Sequence, residues 1–166
     1  MNQRMSTQEF EDVYHRYKQL LFRIAFSYVK KREDAEDLVQ EAFYKRLYKA
    51  PDFADREHEK RWLIRVIVNL SKNDVKSFWH RNRVDMEDVP EQFWMQEERE
   101  ALLLREVLEL PDQCKVPMYL HYYEGYVCRE VADILGCKES TIKMRLKKGR
   151  ELLRFKISEG GMPYED

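Results

Sequence analysis

At 166 residues the chain suits one ordinary domain or two small ones. Its 30 Lys and Arg against 31 Asp and Glu leave a net charge of -1, which argues against a free-standing DNA binder, since such proteins are usually clearly basic. No apolar run approaches the roughly 18 residues that cross a bilayer, and Met1 to Phe10 is polar, so a cytoplasmic protein with no membrane insertion of its own is expected.

Gly and Pro are scarce, no apolar–polar alternation is sustained, and Leu, Glu, Lys, Arg and Ala abound, which predicts an all-α fold. Ser6-Thr7-Gln8-Glu9 has the capping-box form, and Phe10, Val13, Tyr14, Tyr17, Leu20, Leu21, Ile24 and Tyr28 follow at helical steps. After the polar break Lys30 to Glu33, Asp34 is the expected N-cap of a second helix with Ala35, Leu38, Val39, Ala42, Phe43 and Leu47 inward, ended before Pro51. A third helix is predicted from about Glu57 to Trp79, its inner face marked by Trp62, Leu63, Val66, Ile67, Leu70 and then Asp74 or Val75. These three helices form an expected first domain over residues 1–81.

Residues 82–96 lose the helical period, carry Pro90 and several carboxylates, and read as an acidic linker. A second domain, 97–166, is expected to hold helices at about Glu97 to Glu109, Asp112 to Tyr123, Arg129 to Leu135 and Glu139 to Ser158, with Pro117 delaying or kinking the second of them. The architecture is thus two small helical domains joined by a linker.

Charge follows the same division. Asp55 to Arg83 is net basic, Val84 to Gln113 strongly acidic, and Lys138 to Lys156 basic again, which implies two nucleic-acid contacts with something different between them. Cys114, Cys128 and Cys137 show no zinc-ligand spacing and read as reduced, mostly buried thiols. His15, His58, His80 and His121 share no motif, and the chain has neither a phosphate loop nor a nucleophile paired with a histidine, so an enzyme is not expected and no cofactor is implied.

Arg129 to Leu153 has helix-turn-helix grammar. Ala132 permits close helix crossing, Gly136 takes a left-handed turn, and Ile142, Leu146, Gly149 and Leu153 face inward. Ser140, Met144, Lys147 and Lys148 then point outward toward base edges, with Thr141, Lys143, Arg145 and Arg150 flanking them where phosphates would run. The third helix carries a second stripe, Arg65, Asn69, Lys72, Asn73 and Lys76, and ends in Phe78 and Trp79. Cations for phosphates and rings for unstacked bases suit single-stranded DNA. On the second helix, Glu33, Asp37, Gln40 and Glu41 are exposed opposite an apolar side; without a histidine among them they fit a protein-docking face better than a metal site.

The run Asp34-Ala35-Glu36-Asp37-Leu38-Val39-Gln40-Glu41-Ala42-Phe43, the later Trp62-Leu63-Ile64-Arg65-Val66-Ile67-Val68-Asn69, and Leu110-Pro111 followed by the helix-turn-helix resemble, in this order, an extracytoplasmic-function sigma factor. The resemblance spans Phe10 to Ile157. It implies bacterial RNA polymerase core as the obligate partner, with Asp34, Asp37, Gln40 and Glu41 docking on the clamp helices of its largest subunit. It implies that Arg65, Asn69, Lys72, Asn73, Lys76 and Trp79 recognise and melt the minus-ten element, Asn69 lying near a flipped non-template base. It further implies that Ser140, Thr141, Lys143, Met144, Arg145, Lys147 and Lys148 bind the minus-thirty-five element, that the acidic linker threads toward the RNA exit path, and that an anti-sigma factor holds the protein inactive. A stand-alone helix-turn-helix regulator is the alternative; it would need a dimer interface and a palindromic site.

Overall fold

The computed structural model describes residues 5–78 and 98–160, with side chains for 5–74 and 100–158. The expected linker, Trp79 and the side chain of Lys76 lie outside the described residues. Regular structure among the described residues is entirely helical and falls in two compact units, one within residues 1–93 and one within 94–166.

The first unit is built from α1 (Thr7–Val29), α2 (Arg32–Tyr48) and α3 (Arg56–Phe78). α1 starts where the Ser6 hydroxyl accepts the Glu9 N–H and the Glu9 carboxylate accepts the Ser6 N–H, each at 3.1 Å, so two otherwise orphaned donors are satisfied reciprocally. It stops at Lys30, which takes the left-handed conformation (φ 62°) and returns its N–H to the Phe26 carbonyl. That stop moves the start of the next helix. Lys31 becomes the extended N-cap, α2 begins at Arg32, and Asp34 sits inside the first turn rather than capping it. Asp34 and Glu33 still favour the helix, because carboxylates in the first turn and Lys45 and Arg46 in the last complement its dipole. α3 is capped by Asp55, whose carboxylate accepts the His58 N–H at 2.8 Å.

α1 packs against both partners, which explains why its buried face is so wide: Leu21, Phe22, Ile24, Ala25, Phe26, Tyr28 and Val29 are all buried. Burying Leu21, Ile24 or Phe26 fully contributes roughly 1.5–3 kcal/mol apiece. On α3 the inward face is centred on Leu63, Ile64, Ile67, Val68 and Ser71, whereas Trp62, Val66 and Leu70 are half-buried at its margin. The sequence stripe was therefore rotated. α3 is flanked by α1 and α2 together, so the buried arc includes positions that a one-sided helix would expose.

The second unit holds α4 (Glu98–Leu108), α5 (Asp112–Tyr122), α6 (Cys128–Leu135) and α7 (Glu139–Gly160). α5 begins at Asp112 directly after Pro111 and runs on through Pro117, which withholds one helical N–H from the carbonyl of Gln113, an exposed residue of the first turn. The core is made by Leu104, Leu108, Met118, Tyr119, Leu120, Ile134, Ile142 and Leu146. Among the cysteines only Cys114 is buried; Cys128 and Cys137 are half-buried at the two ends of α6, so the expectation of mostly buried thiols holds for one of three.

Candidate nucleic-acid interface

The helix-turn-helix is assembled by local chemistry. Tyr126 donates its N–H to the Leu120 carbonyl at 3.1 Å, and its own carbonyl is held at 2.7 Å by His121 Nδ1, which must carry the proton to do so. Val127 then presents its N–H to the Glu130 carboxylate at 3.0 Å, and α6 follows. Gly136 closes α6 at φ 70° with its N–H on the Ala132 carbonyl, a conformation that side chains resist. Glu139 opens α7 immediately afterwards.

On α7, Ile142, Leu146 and Gly149 are buried and Leu153 is half-buried. Ser140, Lys143, Met144, Lys147 and Lys148 are exposed, while Thr141 and Arg145 are half-buried along the edges. Met144, at 70% exposure, stands furthest out of the apolar side chains. The face is cationic but not fully available: Lys143 pairs with Glu139 at 3.5 Å, and Arg150 donates to the Tyr122 hydroxyl at 3.1 Å. Beneath it, burial pushes the Cys114 thiol upward in pKa, with Lys148 and Arg145 partly opposing that shift. Cys114 is therefore held as a neutral packing group rather than a reactive thiolate.

In the first unit, Arg65, Asn69, Lys72 and Asn73 are all exposed on α3 and share one side of it. The charge tally of this segment changes in three dimensions. Glu59, an acidic residue in the same basic stretch of sequence, is only 6% exposed and points into the helical bundle. There it accepts from Arg46 of α2 at 2.7 and 2.8 Å and lies 3.9 Å from Arg16 of α1. Arg46 in turn lies 4.8 Å from the centre of the Phe53 ring. A carboxylate consumed by arginines of two other helices leaves the outer surface of α3 more basic than its composition.

On α2, Asp37, Gln40 and Glu41 are exposed and Asp34 is half-buried. Sequence reasoning stopped this face at Glu41, but Tyr44 and Tyr48 continue it. Extending the step from Asp37 to i+7 and i+11 would have found both. The Arg16–Glu59–Arg46 cluster left no comparable signal, because no spacing rule links three separate helices. No group of His, Cys, Asp and Glu suited to a metal, and no helix long and apolar enough to cross a membrane, occurs among the described residues.

Comparison with known proteins agrees with this geometry in both units. Residues 13–89 match the family model of Sigma-70 region 2, and residues 100–153 that of Sigma-70 region 4. RNA polymerase sigma factor SigV of Bacillus subtilis is 31% identical over 147 residues, covering 86% of this chain and 87% of that protein. The ECF RNA polymerase sigma-E factor of Haemophilus influenzae is 26% identical over 159 residues, 86% of this chain and 84% of its own. In fold, the chain is similar to the sigma factor RpoE of Bartonella quintana, solved in complex with the anti-sigma factor NepR, with a TM-score of 0.73 at 20% identity over 92% of this chain and 98% of that one. CnrH, solved with the cytosolic domain of CnrY, gives a TM-score of 0.66 at 20% identity over 93% and 90%. With both regions matched in order and a relative at 31% identity along most of its length, the chain belongs to the extracytoplasmic-function sigma factors, and its work is that of an alternative sigma factor: promoter recognition and the initiation of transcription.

Proposed function

We propose that this work is divided among three surfaces on two domains, 1–81 and 97–166, joined by the linker 82–96. Asp34, Asp37, Gln40 and Glu41 on α2 dock the protein on the clamp helices of RNA polymerase core. Arg65, Asn69, Lys72 and Asn73 of α3, continued by Lys76 and Trp79, take the minus-ten strand, cations on phosphates and amides and the indole on unstacked bases. Ser140, Thr141, Lys143, Met144, Arg145, Lys147 and Lys148 of α7 bind the minus-thirty-five element in a major groove.

The observation that carries this reading is the sorting on α7: Ile142, Leu146 and Gly149 are buried while Ser140, Lys143, Met144, Lys147 and Lys148 are exposed. A helix anchored on one side and cationic on the other matches a groove reader. Near neutrality overall fits a protein whose DNA affinity comes mostly through the polymerase. An anti-sigma protein is the natural inhibitor, since both fold neighbours were solved with partners, one of them named as an anti-sigma factor. The protein acts in the cytoplasm, without catalysis of its own.

Run-off transcription on fragmented genomic DNA, with polymerase core alone or supplemented with the chain, tests the reading. Expected are chain-dependent transcripts whose start sites share two upstream sequence elements. No new transcripts, together with a gel shift of a palindromic site by the chain alone at physiological salt, would favour a stand-alone regulator instead.

A further inference from the structure

The outward face of α2 is longer than the four residues proposed to dock. At about 100° per residue, Glu33, Asp37, Gln40, Glu41, Tyr44 and Tyr48 fall within one arc of roughly 100°, opposite the buried Ala35, Val39 and Ala42. All six are exposed. The stripe is divided along its length of about 22 Å, set by 1.5 Å per residue. Its N-terminal half is carboxylate and amide, and its C-terminal half is aromatic. Tyr44 is 56% and Tyr48 50% exposed, with ring centres 4.8 Å apart.

Two tyrosines one turn apart, their rings in contact at a tilt of 46°, form a ridge whose rotamers are already restricted, so little side-chain entropy remains to be lost when it is covered. Tyrosine is also among the residues that most often anchor protein interfaces, offering a large apolar body with a hydroxyl that tolerates water. The carboxylates beside the ridge exclude DNA as its occupant, because Glu33, Asp37 and Glu41 would face phosphates. They fit a protein with basic groups on one side and an apolar cleft on the other. The ridge lies on the same helix face as the docking residues, without a break.

We propose that Tyr44 and Tyr48 are the apolar anchor of the polymerase-docking face, seated in a cleft of the core enzyme while its basic residues meet Glu33, Asp37 and Glu41. This rests on the docking role of α2 given above. The acidic half then sets orientation and association rate, and the aromatic half holds the complex together.

The test is competition of full-length variants against labelled parent chain for polymerase core, at low and high salt. Tyr44→Ala with Tyr48→Ala is expected to weaken binding by about 30-fold or more, the loss typical of an interface anchor, with little dependence on salt. The Tyr44→Phe, Tyr48→Phe pair should stay within about threefold of the parent, since the ring carries the contact. Asp37→Arg should weaken binding in a salt-dependent way. A Tyr44→Gln, Tyr48→Gln pair keeps helix propensity and repeats the alanine result if local unfolding is not its cause. Full binding by both the alanine and glutamine pairs, with Asp37→Arg impaired, would overturn the anchor and leave α2 as the docking helix. Full binding by all variants would overturn the docking role itself. Loss of a self-associated form in the alanine pair with polymerase binding intact would assign the ridge to a second copy and equally overturn the proposal.

Discussion

Gly149 of α7 crosses so close to Met118 of α5 that a β-carbon at 149 would stand 2.8 Å from Met118 Cγ and 2.9 Å from its sulfur. Met118 is itself buried, so it has little room to retreat. α7 is thus seated on α5 at a glycine, where any β-carbon would require the Met118 side chain to shift. Gly149→Val should destabilise the second unit by about 2 kcal/mol through overpacking. Gly149→Ala should cost much less, because alanine recovers up to about 1 kcal/mol of helix propensity. The check is a double-mutant cycle with Met118→Ala, read by hydrogen exchange of α5 and α7 amides. Additive losses, without a coupling of at least about 0.5 kcal/mol, would show that Met118 is not what resists the side chain.

The Glu59 cluster ties all three helices of the first unit through one buried carboxylate. Removing it as Glu59→Ala leaves Arg46, whose side chain is 15% exposed, without its partner. A loss of about 3 kcal/mol is expected. Replacing Glu59 and Arg46 together, Glu59→Leu with Arg46→Met, should be milder than Glu59→Ala alone, because the more deeply buried guanidinium goes with its partner, while the remaining Arg16 has a side chain 32% exposed to water. Urea unfolding of the three proteins orders them, and a milder single than double variant would contradict the account.

Tyr17 gives the first unit an alkaline limit. Burial pushes its phenol pKa above 10.0, with the hydrogen bond to Arg16 partly opposing, and its hydroxyl donates to the Arg56 carbonyl at 3.3 Å. The neutral form is therefore favoured by folding, so its contribution is fully present below the unfolded value and is lost as pH rises through the higher folded value. Stability of the first unit should fall above about pH 10. Tyr17→Phe should flatten that limb while losing one hydrogen bond at neutral pH; thermal melts from pH 8 to 11 would expose an unchanged slope if Tyr17 is not the group responsible.

Docking and DNA reading should separate by mutation. Lys148→Ala is expected to weaken promoter binding by the holoenzyme and lower the salt slope by about 1, with core binding unchanged. Gln40→Ala should do the reverse, weakening core binding with the fold intact. Equal loss of both activities in either variant, measured by core competition and promoter gel shift, would point to misfolding.

Much of the fold was legible because it is written locally. Ser6 and Glu9 cap α1 through three-residue spacing, and Gly136 turns between α6 and α7 because it alone takes positive φ without strain. The alternation of Ile142, Leu146 and Gly149 with Ser140, Met144 and Lys148 needs only the 3.6-residue period. Asp34 misled for an equally local reason: it is a good cap by type, but the left-handed Lys30 had already placed the boundary at Lys31.

What the sequence by itself determined, then, was the all-α fold, the order of helices and the family, since each depends on periods and motifs within a few residues. The burial of Glu59 among arginines of two other helices, the rotation of α3 toward Ile64, Val68 and Ser71, and the seat of α7 on Met118 were decided by the tertiary structure. Those depend on which faces meet across long separations, where no period survives and the energy comes from mutual packing and desolvated charge.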